Sequence, residues 1–158
     1  MGRADVRGRN DSAKLRTNME YAKPLPSLHD PDALPYWQAA RENMLSVQQC
    51  GACKRFVYPP GPSCSWCGAD ELAYSDLGSN IEGVLYSFTV VYRAFLPGFD
   101  KEVPYVVANV ELCGTTSPLK ILANLKNCAP DKVRIGMRVR MVWERCTDQI
   151  TLPQWVPL

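Results

Sequence analysis

The chain has 158 residues, of which 46% are apolar, and a formal net charge of +2. This length allows one domain, or a small module followed by a domain of about a hundred residues. No run of about eighteen apolar residues is present, so we expect neither a membrane-spanning helix nor a membrane partner. Residues 1–7 are charged and lack the apolar stretch of a secretory signal. Seven cysteines, an odd number, are typical of a reducing compartment, and we expect a cytoplasmic location.

Charge is distributed unevenly along the chain. Residues 1–23 hold six basic and three acidic side chains, which leaves a net charge of −1 on residues 24–158. A protein that binds nucleic acid through its folded face normally has a basic excess on that face. The charge of the remaining part therefore counts against nucleic acid as a partner.

The first predicted elements are an N-terminal arm and a short helix. Residues 1–30 are polar, lack hydrophobic periodicity and end in a proline-rich stretch, which predicts a flexible arm. In residues 31–46 apolar side chains recur at helical spacing, which predicts an amphipathic helix over about 32–45. A helix this short cannot bury its own apolar face. That face packs either on the next module of this chain or on another protein, and both alternatives stay open.

Two C-x-x-C motifs follow within residues 47–74, separated by ten residues rich in proline and turn formers. The four cysteines are Cys50, Cys53, Cys64 and Cys67. Motifs at this separation bring four thiolates into a tetrahedron that suits Zn²⁺, and iron fits the same geometry. Because every ligand is a cysteine, no position is left for a reacting water and the metal is expected to be structural. Gly51 and Gly68 are expected at the sharp turns. Disulfides or unrelated thiols are the alternatives, against which the paired spacing argues.

The pattern after residue 74 predicts a second domain, 75–158, made of strands. Residues 75–80 are expected to form a loop and the domain boundary. Segments rich in β-branched and aromatic residues, or alternating apolar with polar side chains, predict strands. The predicted strands are residues 84–93, 104–112, 119–125, 137–144 and 149–152. A helical turn at 129–133, between the third and fourth of these strands, favours a small Greek-key barrel of OB type.

Motifs across residues 31–158 resemble a known family, the acyl-CoA-associated accessory proteins. These motifs are the two cysteine pairs with Pro59-Pro60 between them and the segments 83–90, 104–112 and 133–139. Residues 78–83, Gly-Ser-Asn-Ile-Glu-Gly, depart from the Ser-Gly-x-Gly that members often have before the first barrel strand. The resemblance implies a mainly β fold. It comprises an N-terminal helix, a rubredoxin-like zinc ribbon and a five-stranded OB-fold barrel.

The resemblance also implies a non-catalytic accessory subunit. Members of this family form complexes with thiolase-fold enzymes, which include thiolases, aldolases and acyltransferases. In such complexes the helix and zinc ribbon dock on the partner, and the barrel helps to house coenzyme A. The nucleophilic cysteine and the basic histidine belong to the thiolase-fold subunit. We therefore expect a structural Zn²⁺, a thiolase-fold partner and an acyl-CoA thioester as a shared ligand.

The residues of the chain agree with that division of labour, because no catalytic triad, phosphate loop or carboxylate pair is apparent. A coenzyme A site needs cations for the phosphates and an apolar channel for the pantetheine arm. The candidates for coenzyme A contacts are Arg93, Lys101, Lys120, Lys126, Arg138, Arg140, Phe95 and Phe99. The candidates for the partner interface are Leu34, Tyr36, Trp37, Met44 and Trp66.

Two other functions remain as alternatives. Zinc ribbons and OB folds also occur together in modules that bind nucleic acid. An independent acyl-CoA hydrolase or transferase is the second alternative, and it would use one of the three cysteines outside the motifs. Those cysteines are Cys113, Cys128 and Cys146, which lie in or beside apolar segments and are more typical of small core residues.

Overall fold

The computed structural model describes residues 21–158, so the predictions for residues 1–20 lie outside the described chain. The elements are α1 (Leu34–Arg41), β1 (Leu45–Cys50), β2 (Phe56–Val57), β3 (Leu72–Gly78), β4 (Glu82–Val91), β5 (Tyr105–Leu112), β6 (Lys120–Leu125), a 3₁₀ turn (Pro130–Lys132), β7 (Arg138–Arg145) and β8 (Thr151–Pro157). The predicted mainly β fold is confirmed, and the 3₁₀ turn lies where a helical turn is predicted. Within the described range, no helix is long and apolar enough to cross a membrane.

Helix α1 is shorter than the sequence predicts. The prediction extends to about residue 45, but the helix ends at Arg41 and Leu45 already begins β1. Asn43 has a φ of 59°, the left-handed conformation that commonly follows the last turn of a helix. Its N–H donates to the carbonyl oxygen of Ala40. Because Met44 and Leu45 continue the helical spacing beyond this break, periodicity alone places the end too late.

The ribbon is a three-stranded antiparallel sheet in the order β2-β1-β3. The prediction of a loop at residues 75–80 is wrong for most of that segment, because β3 continues to Gly78. Ser75 and Asp76 pair with Val47 and Ser46 of β1. This pairing joins residues far apart in the chain, so the polar composition of the segment does not reveal it. The connection between the ribbon and the barrel is confined to residues 79–81.

Strands β4 to β8 form a closed barrel in the order β4-β5-β6-β8-β7, which β4 and β7 complete by pairing. Neighbouring strands are antiparallel except β6 and β8, which run parallel at Leu125 and Trp155. The five-stranded OB-type barrel predicted from the sequence is confirmed. Its first four strands agree with the predicted ones to within two residues at each end.

The last strand is longer than predicted. The sequence predicts residues 149–152, whereas β8 continues to Pro157. Pro153 and Pro157 are typical of a tail because proline has no N–H to donate to a sheet. However, β8 pairs with β6 at one residue pair only, so the missing N–H groups are tolerated. The extension carries Trp155, which is fully buried and donates its Nε1–H to the carbonyl oxygen of Ile121 (3.3 Å).

A single hydrophobic core connects the ribbon to the barrel. Leu45, Val47 and Phe56 of the ribbon belong to the same buried cluster as Trp155 of the barrel. Burial of such large side chains is the main favourable term in the stability of a domain of this size. The ribbon and the barrel are therefore packed against each other rather than joined only by residues 79–81.

The end of the predicted arm lies on the barrel rather than free in solution. Lys23 forms ion pairs with Glu102 and with Glu144 (Nζ to Oε1, 3.9 Å), and its side chain is only 12% exposed. Lys126 contacts the same two carboxylates at 3.5 and 3.6 Å. Burial by itself raises the pKa of Glu102, but the hydrogen bonds and charges of Lys23 and Lys126 outweigh burial and lower that pKa. Tyr21 adds a hydroxyl contact to Glu144 (3.4 Å).

The close packing around Gly83 leads to the first prediction. A Cβ at this position would lie 2.4 Å from Cγ1 of Val110 and 2.6 Å from the carbonyl oxygen of Glu111. We expect Gly83→Ala to lower the free energy of unfolding by roughly 1–3 kcal/mol, because neither β5 nor the core has room for the methyl group. Gly61→Ala is the matched control, since its Cβ would meet no atom within 4 Å. Urea unfolding measures both, and equal losses would contradict the close packing of β4 on β5.

The ion pairs around Glu102 make part of the stability depend on pH. Because the folded pKa of Glu102 is lowered, its contribution is present above the unfolded carboxyl pKa of about 4.3 and is lost as the pH falls through the folded value. We expect the wild type to lose more thermal stability than Glu102→Gln between about pH 6 and pH 3. Asp148→Asn removes an exposed pair with Arg145 and should follow the wild-type profile. Superimposable profiles for the wild type and Glu102→Gln would rule the effect out.

Candidate metal centre and exposed surfaces

The two C-x-x-C motifs form the same backbone turn twice. In the first turn the N–H of Lys54 donates to the carbonyl oxygen of Cys50, and in the second the N–H of Gly68 donates to that of Cys64. Lys54 and Gly68, which occupy equivalent positions, both have positive φ, 62° and 78°. The prediction for Gly68 is thus correct, whereas the sharp turn of the first motif falls on Lys54 and not on Gly51.

The four cysteine sulfurs lie close enough together to bind one metal ion. Their Sγ atoms all lie within 4.8 Å of one another, with Cys50 to Cys67 at 3.6 Å and Cys53 to Cys64 at 3.7 Å. A tetrahedron with zinc–sulfur bonds of about 2.3 Å has edges of about 3.8 Å, so the sulfurs fit Zn²⁺. A disulfide needs about 2.05 Å, and all four cysteines are free thiols in this structure. The arrangement is that of a structural zinc site with no ligand position left open.

Backbone N–H groups point at these sulfurs. The N–H of Cys53 donates to Sγ of Cys50, and that of Trp66 to Sγ of Cys64, both at 3.4 Å. Burial by itself raises the pKa of Cys64, but the N–H groups of Cys67 and Trp66, with neighbouring thiols, lower it to about 7. Because the thiolate is the form that binds metal, these bonds prepare the site for a cation.

The ribbon itself contains few other stabilising contacts. Its own buried cluster consists of Cys50, Val57 and Cys64. Two of these three residues are metal ligands. Bound metal therefore supplies much of the free energy that holds the two turns together.

The candidate interface residues on and just after α1 differ in their exposure to solvent. Tyr36 is buried against Trp37 and Tyr58, with ring centroids 4.8 and 5.6 Å apart, so it is not available to a partner. The apolar face of the helix packs on this chain. Of the two alternatives that the sequence leaves open, packing within the chain is the one observed. Leu34 and Trp37 are half-buried, and Met44 is exposed.

Trp66 lies on the surface of the ribbon. About half of its side chain is exposed, and its Nε1–H donates to the carbonyl oxygen of Phe56 (2.9 Å). The guanidinium of Arg55 lies over the ring, 4.9 Å from the centroid. Trp66 thus stays a candidate for the partner interface.

The candidate coenzyme A residues are not gathered at one cleft. Lys126 is held in the ion pairs with Glu102 and Glu144 described above. Lys120 contacts Glu111 (3.2 Å) and lies over the Tyr86 ring, and Arg138 pairs with Glu82. Within the described residues, no ion pair involves Arg93, Lys101 or Arg140. Phe99 packs on Tyr105, whereas Phe95 is exposed.

Two exposed apolar surfaces come from the barrel. The first, the apolar loop, comprises Tyr92, Phe95 and Leu96 between β4 and β5, whose exposed fractions are 71%, 82% and 54%. The second, the barrel groove, has a volume of 440 Å³. It is lined by Val84, Leu85, Tyr86, Glu111, Leu112, Cys113, Ile135 and Gly136. Sequence reasoning missed the groove because its residues lie on separate strands and loops, and only exposed Tyr86 and Ile135 distinguish it from an ordinary barrel wall.

The three cysteines outside the metal site have no activating base among the described residues. The thiols of Cys128 and Cys146 donate to backbone carbonyl oxygens, and burial raises the pKa of Cys146. Cys113 is exposed at the edge of the barrel groove. The single histidine, His29, lies in the proline-rich stretch before α1 and is exposed. In this part of the chain, no nucleophile is paired with a base.

Family models match both halves of the chain. The model of the ChsH2 rubredoxin-like zinc ribbon domain matches residues 37–73, and that of the ChsH2 C-terminal OB-fold domain matches residues 79–144. A solved chain described as Ltp2-ChsH2(DUF35) aldolase is 36% identical, covers 85% of this chain and 98% of that chain, and superimposes with a TM-score of 0.69.

Curated relatives show the same similarity. A DUF35 domain-containing scaffold protein of Pyrococcus furiosus is 30% identical over 118 residues, which cover 72% of this chain and 79% of that protein. A probable enoyl-CoA hydratase alpha subunit of Thermomonospora curvata is 36% identical over 135 residues, 85% of this chain. The match spans only 40% of the length of that alpha subunit. Taken with the metal-site geometry and the closed barrel, these matches show that the chain belongs to the ChsH2 (DUF35) family of zinc-ribbon and OB-fold proteins.

Proposed function

We propose that the chain is a zinc-containing, non-catalytic accessory subunit of a heteromeric thiolase-fold enzyme that acts on acyl-CoA. It docks on the partner subunit and helps to house the coenzyme A moiety. The observation that carries this proposal is the 36% identity across 98% of a chain of the Ltp2-ChsH2(DUF35) aldolase, whose name joins a second protein to the ChsH2 component. The seven free thiols are in keeping with a cytoplasmic location.

The distribution of chemistry in the chain supports an accessory role. The described residues contain no paired nucleophile and base, and four of the seven cysteines are grouped as metal ligands. The apolar loop, by contrast, exposes Tyr92, Phe95 and Leu96 to solvent. Exposed aromatic and aliphatic side chains of this kind are typical of the centre of a protein interface. The partner surface is therefore assigned to this loop rather than to the buried face of α1.

An acyl-CoA as the shared ligand is supported by the barrel groove and by one relative. The groove is open, mostly apolar and large enough at 440 Å³ for a pantetheine or acyl chain. The Thermomonospora curvata relative is named for an enoyl-CoA reaction, but the match spans 40% of that protein, so only the acyl-CoA class of ligand is carried into this proposal.

The partner is tested by capture from the native cells. We expect the tagged chain to co-purify with a thiolase-fold protein in near-equal amount, as identified by mass spectrometry. Replacing Phe95 and Leu96 by serine should weaken that association at least about tenfold, because both side chains lose apolar contact with the partner. Leu122→Ser, which changes an exposed apolar residue on β6, is the matched control. Recovery of the bait alone, or with nucleic acid, would overturn the proposal.

The structural role of the metal is tested in the same protein. We expect about one zinc ion per chain by elemental analysis, because four thiolates in a tetrahedron suit Zn²⁺. Cys64→Ser should lose the metal and unfold the ribbon, because little else holds the two turns. Cys113→Ser changes an exposed thiol outside the ribbon and should behave as the wild type. A Cys64→Ser protein that keeps its zinc and its melting temperature would exclude a four-cysteine structural site.

A further inference from the structure

A cleft of 610 Å³ lies between the first turn of the metal site and the loop that joins β5 to β6. The ribbon contributes Gln49, Lys54 and Arg55 to its wall, and the loop contributes Thr116 and Ser117. No acidic residue lines it. We refer to it as the ribbon–barrel cleft. The metal ligand Cys53 also lines it, whereas none of its lining residues belongs to the candidate coenzyme A set.

Lys54 occupies a position that normally favours glycine. Its φ of 62° is left-handed, and the equivalent position in the second turn is Gly68. A side chain in this conformation costs backbone energy that glycine avoids. The chain nevertheless carries a lysine here, and an unusual backbone conformation of this kind points to a function for the side chain.

Arg55 is held in place before any ligand binds. Its guanidinium stacks on Trp66, whose Nε1–H in turn donates to the carbonyl oxygen of Phe56 (2.9 Å). Among the described residues, no carboxylate forms an ion pair with Lys54 or Arg55, unlike Lys120, Lys126 and Arg138, which are all paired. The lining of the cleft therefore includes two cationic residues that have no carboxylate partner among the described residues.

The β5–β6 loop adds two hydroxyl groups to the lining of the cleft. Ser117 Oγ accepts the N–H of Phe56 (3.1 Å), which ties the β5–β6 loop to the ribbon. Its own O–H remains free to donate, as does the hydroxyl of exposed Thr116. Two cations facing hydroxyl donors are the groups that recognise phosphate oxygens.

We propose that the ribbon–barrel cleft binds the phosphate groups of a nucleotide-type ligand. This assignment rests on the proposed function in one respect, the identity of the ligand, which is the 3′-phosphorylated adenosine diphosphate end of coenzyme A. The cleft has the volume for a nucleotide, and Pro118 also lines a second cleft of 180 Å³ beside Trp66, where an aromatic surface is available to the base.

A structural explanation predicts something different. Zn²⁺ with four thiolates carries a net charge of −2, and Cys53 lines the cleft. If Lys54 and Arg55 serve only to offset that charge, their removal should weaken zinc retention and leave phosphate binding unchanged. Lys54→Gly separates the two explanations, because glycine relieves the left-handed backbone while it removes the cation.

The test is calorimetric titration of the zinc-loaded full chain with adenosine 3′,5′-bisphosphate, coenzyme A, dephospho-coenzyme A and inorganic phosphate. We expect coenzyme A to bind more tightly than dephospho-coenzyme A, and the bisphosphate more tightly than inorganic phosphate. Lys54→Gly and Arg55→Gln should each weaken bisphosphate binding about tenfold, as expected for loss of a charge-assisted contact. Lys54→Gly should unfold at an equal or higher urea concentration. Arg145→Gln, an exposed arginine away from the cleft, is the control for Arg55→Gln.

Unchanged bisphosphate affinity in both variants, or no binding by the wild type at millimolar ligand, would overturn the proposal. Equal affinity for coenzyme A and dephospho-coenzyme A would contradict the coenzyme A assignment. Partner capture by the wild type, measured beside the titration, separates this inference from the proposed function. A wild-type chain that captures a thiolase-fold partner but does not bind the bisphosphate refutes the cleft alone. Variant-sensitive bisphosphate binding without such a partner refutes the accessory role and supports the cleft.

Discussion

The convergence of four cysteine sulfurs is the constraint on which the ribbon depends. Apart from the ligands themselves, its own buried cluster contains only Val57, and β2 is two residues long. Strand β1 transmits this constraint, because it ends at Cys50 in the metal site and begins at Leu45 in the core shared with the barrel. A metal bound at one end of β1 thus also positions α1, which packs beside that strand, and the Lys54–Arg55 segment that follows it.

The parts of the molecule that the sequence predicts well are those decided by local pattern. Four cysteines at knuckle spacing identify the metal site. Segments rich in β-branched and aromatic residues, or alternating apolar with polar side chains, identify four of the five barrel strands. Predictions fail where a distant strand decides the outcome. Residues 75–78 are polar and read as a loop, yet they pair with β1. Pro153 and Pro157 are typical of a tail, yet both residues pair with β7 in the barrel. Asn43 ends α1 although the apolar spacing continues beyond it.

Side-chain partners were harder to predict than strands for the same reason. Lys23 and Lys126 look like free cations in the sequence, but barrel closure brings Glu102 and Glu144 to both. Tyr36 looks like an interface residue on a short helix, but Tyr58 from the proline-rich turn covers it. Conversely, no sequence pattern singles out Lys54 and Arg55, which directly follow a cysteine motif. Only the fold shows that they share a cleft with the β5–β6 loop.

The contacts between ribbon and barrel determine how surfaces on the two modules are arranged relative to each other. The N–H of Phe56 bonds Ser117 across the two modules, while the Phe56 side chain is buried in their common core. Surfaces on both modules are therefore held at fixed positions relative to each other. A partner bound at the apolar loop and a nucleotide bound at the ribbon–barrel cleft would then meet in one geometry. In the proposed complex, positioning of this kind would assist a reaction carried out by the partner subunit, because it reduces the entropy lost when the reacting groups come together.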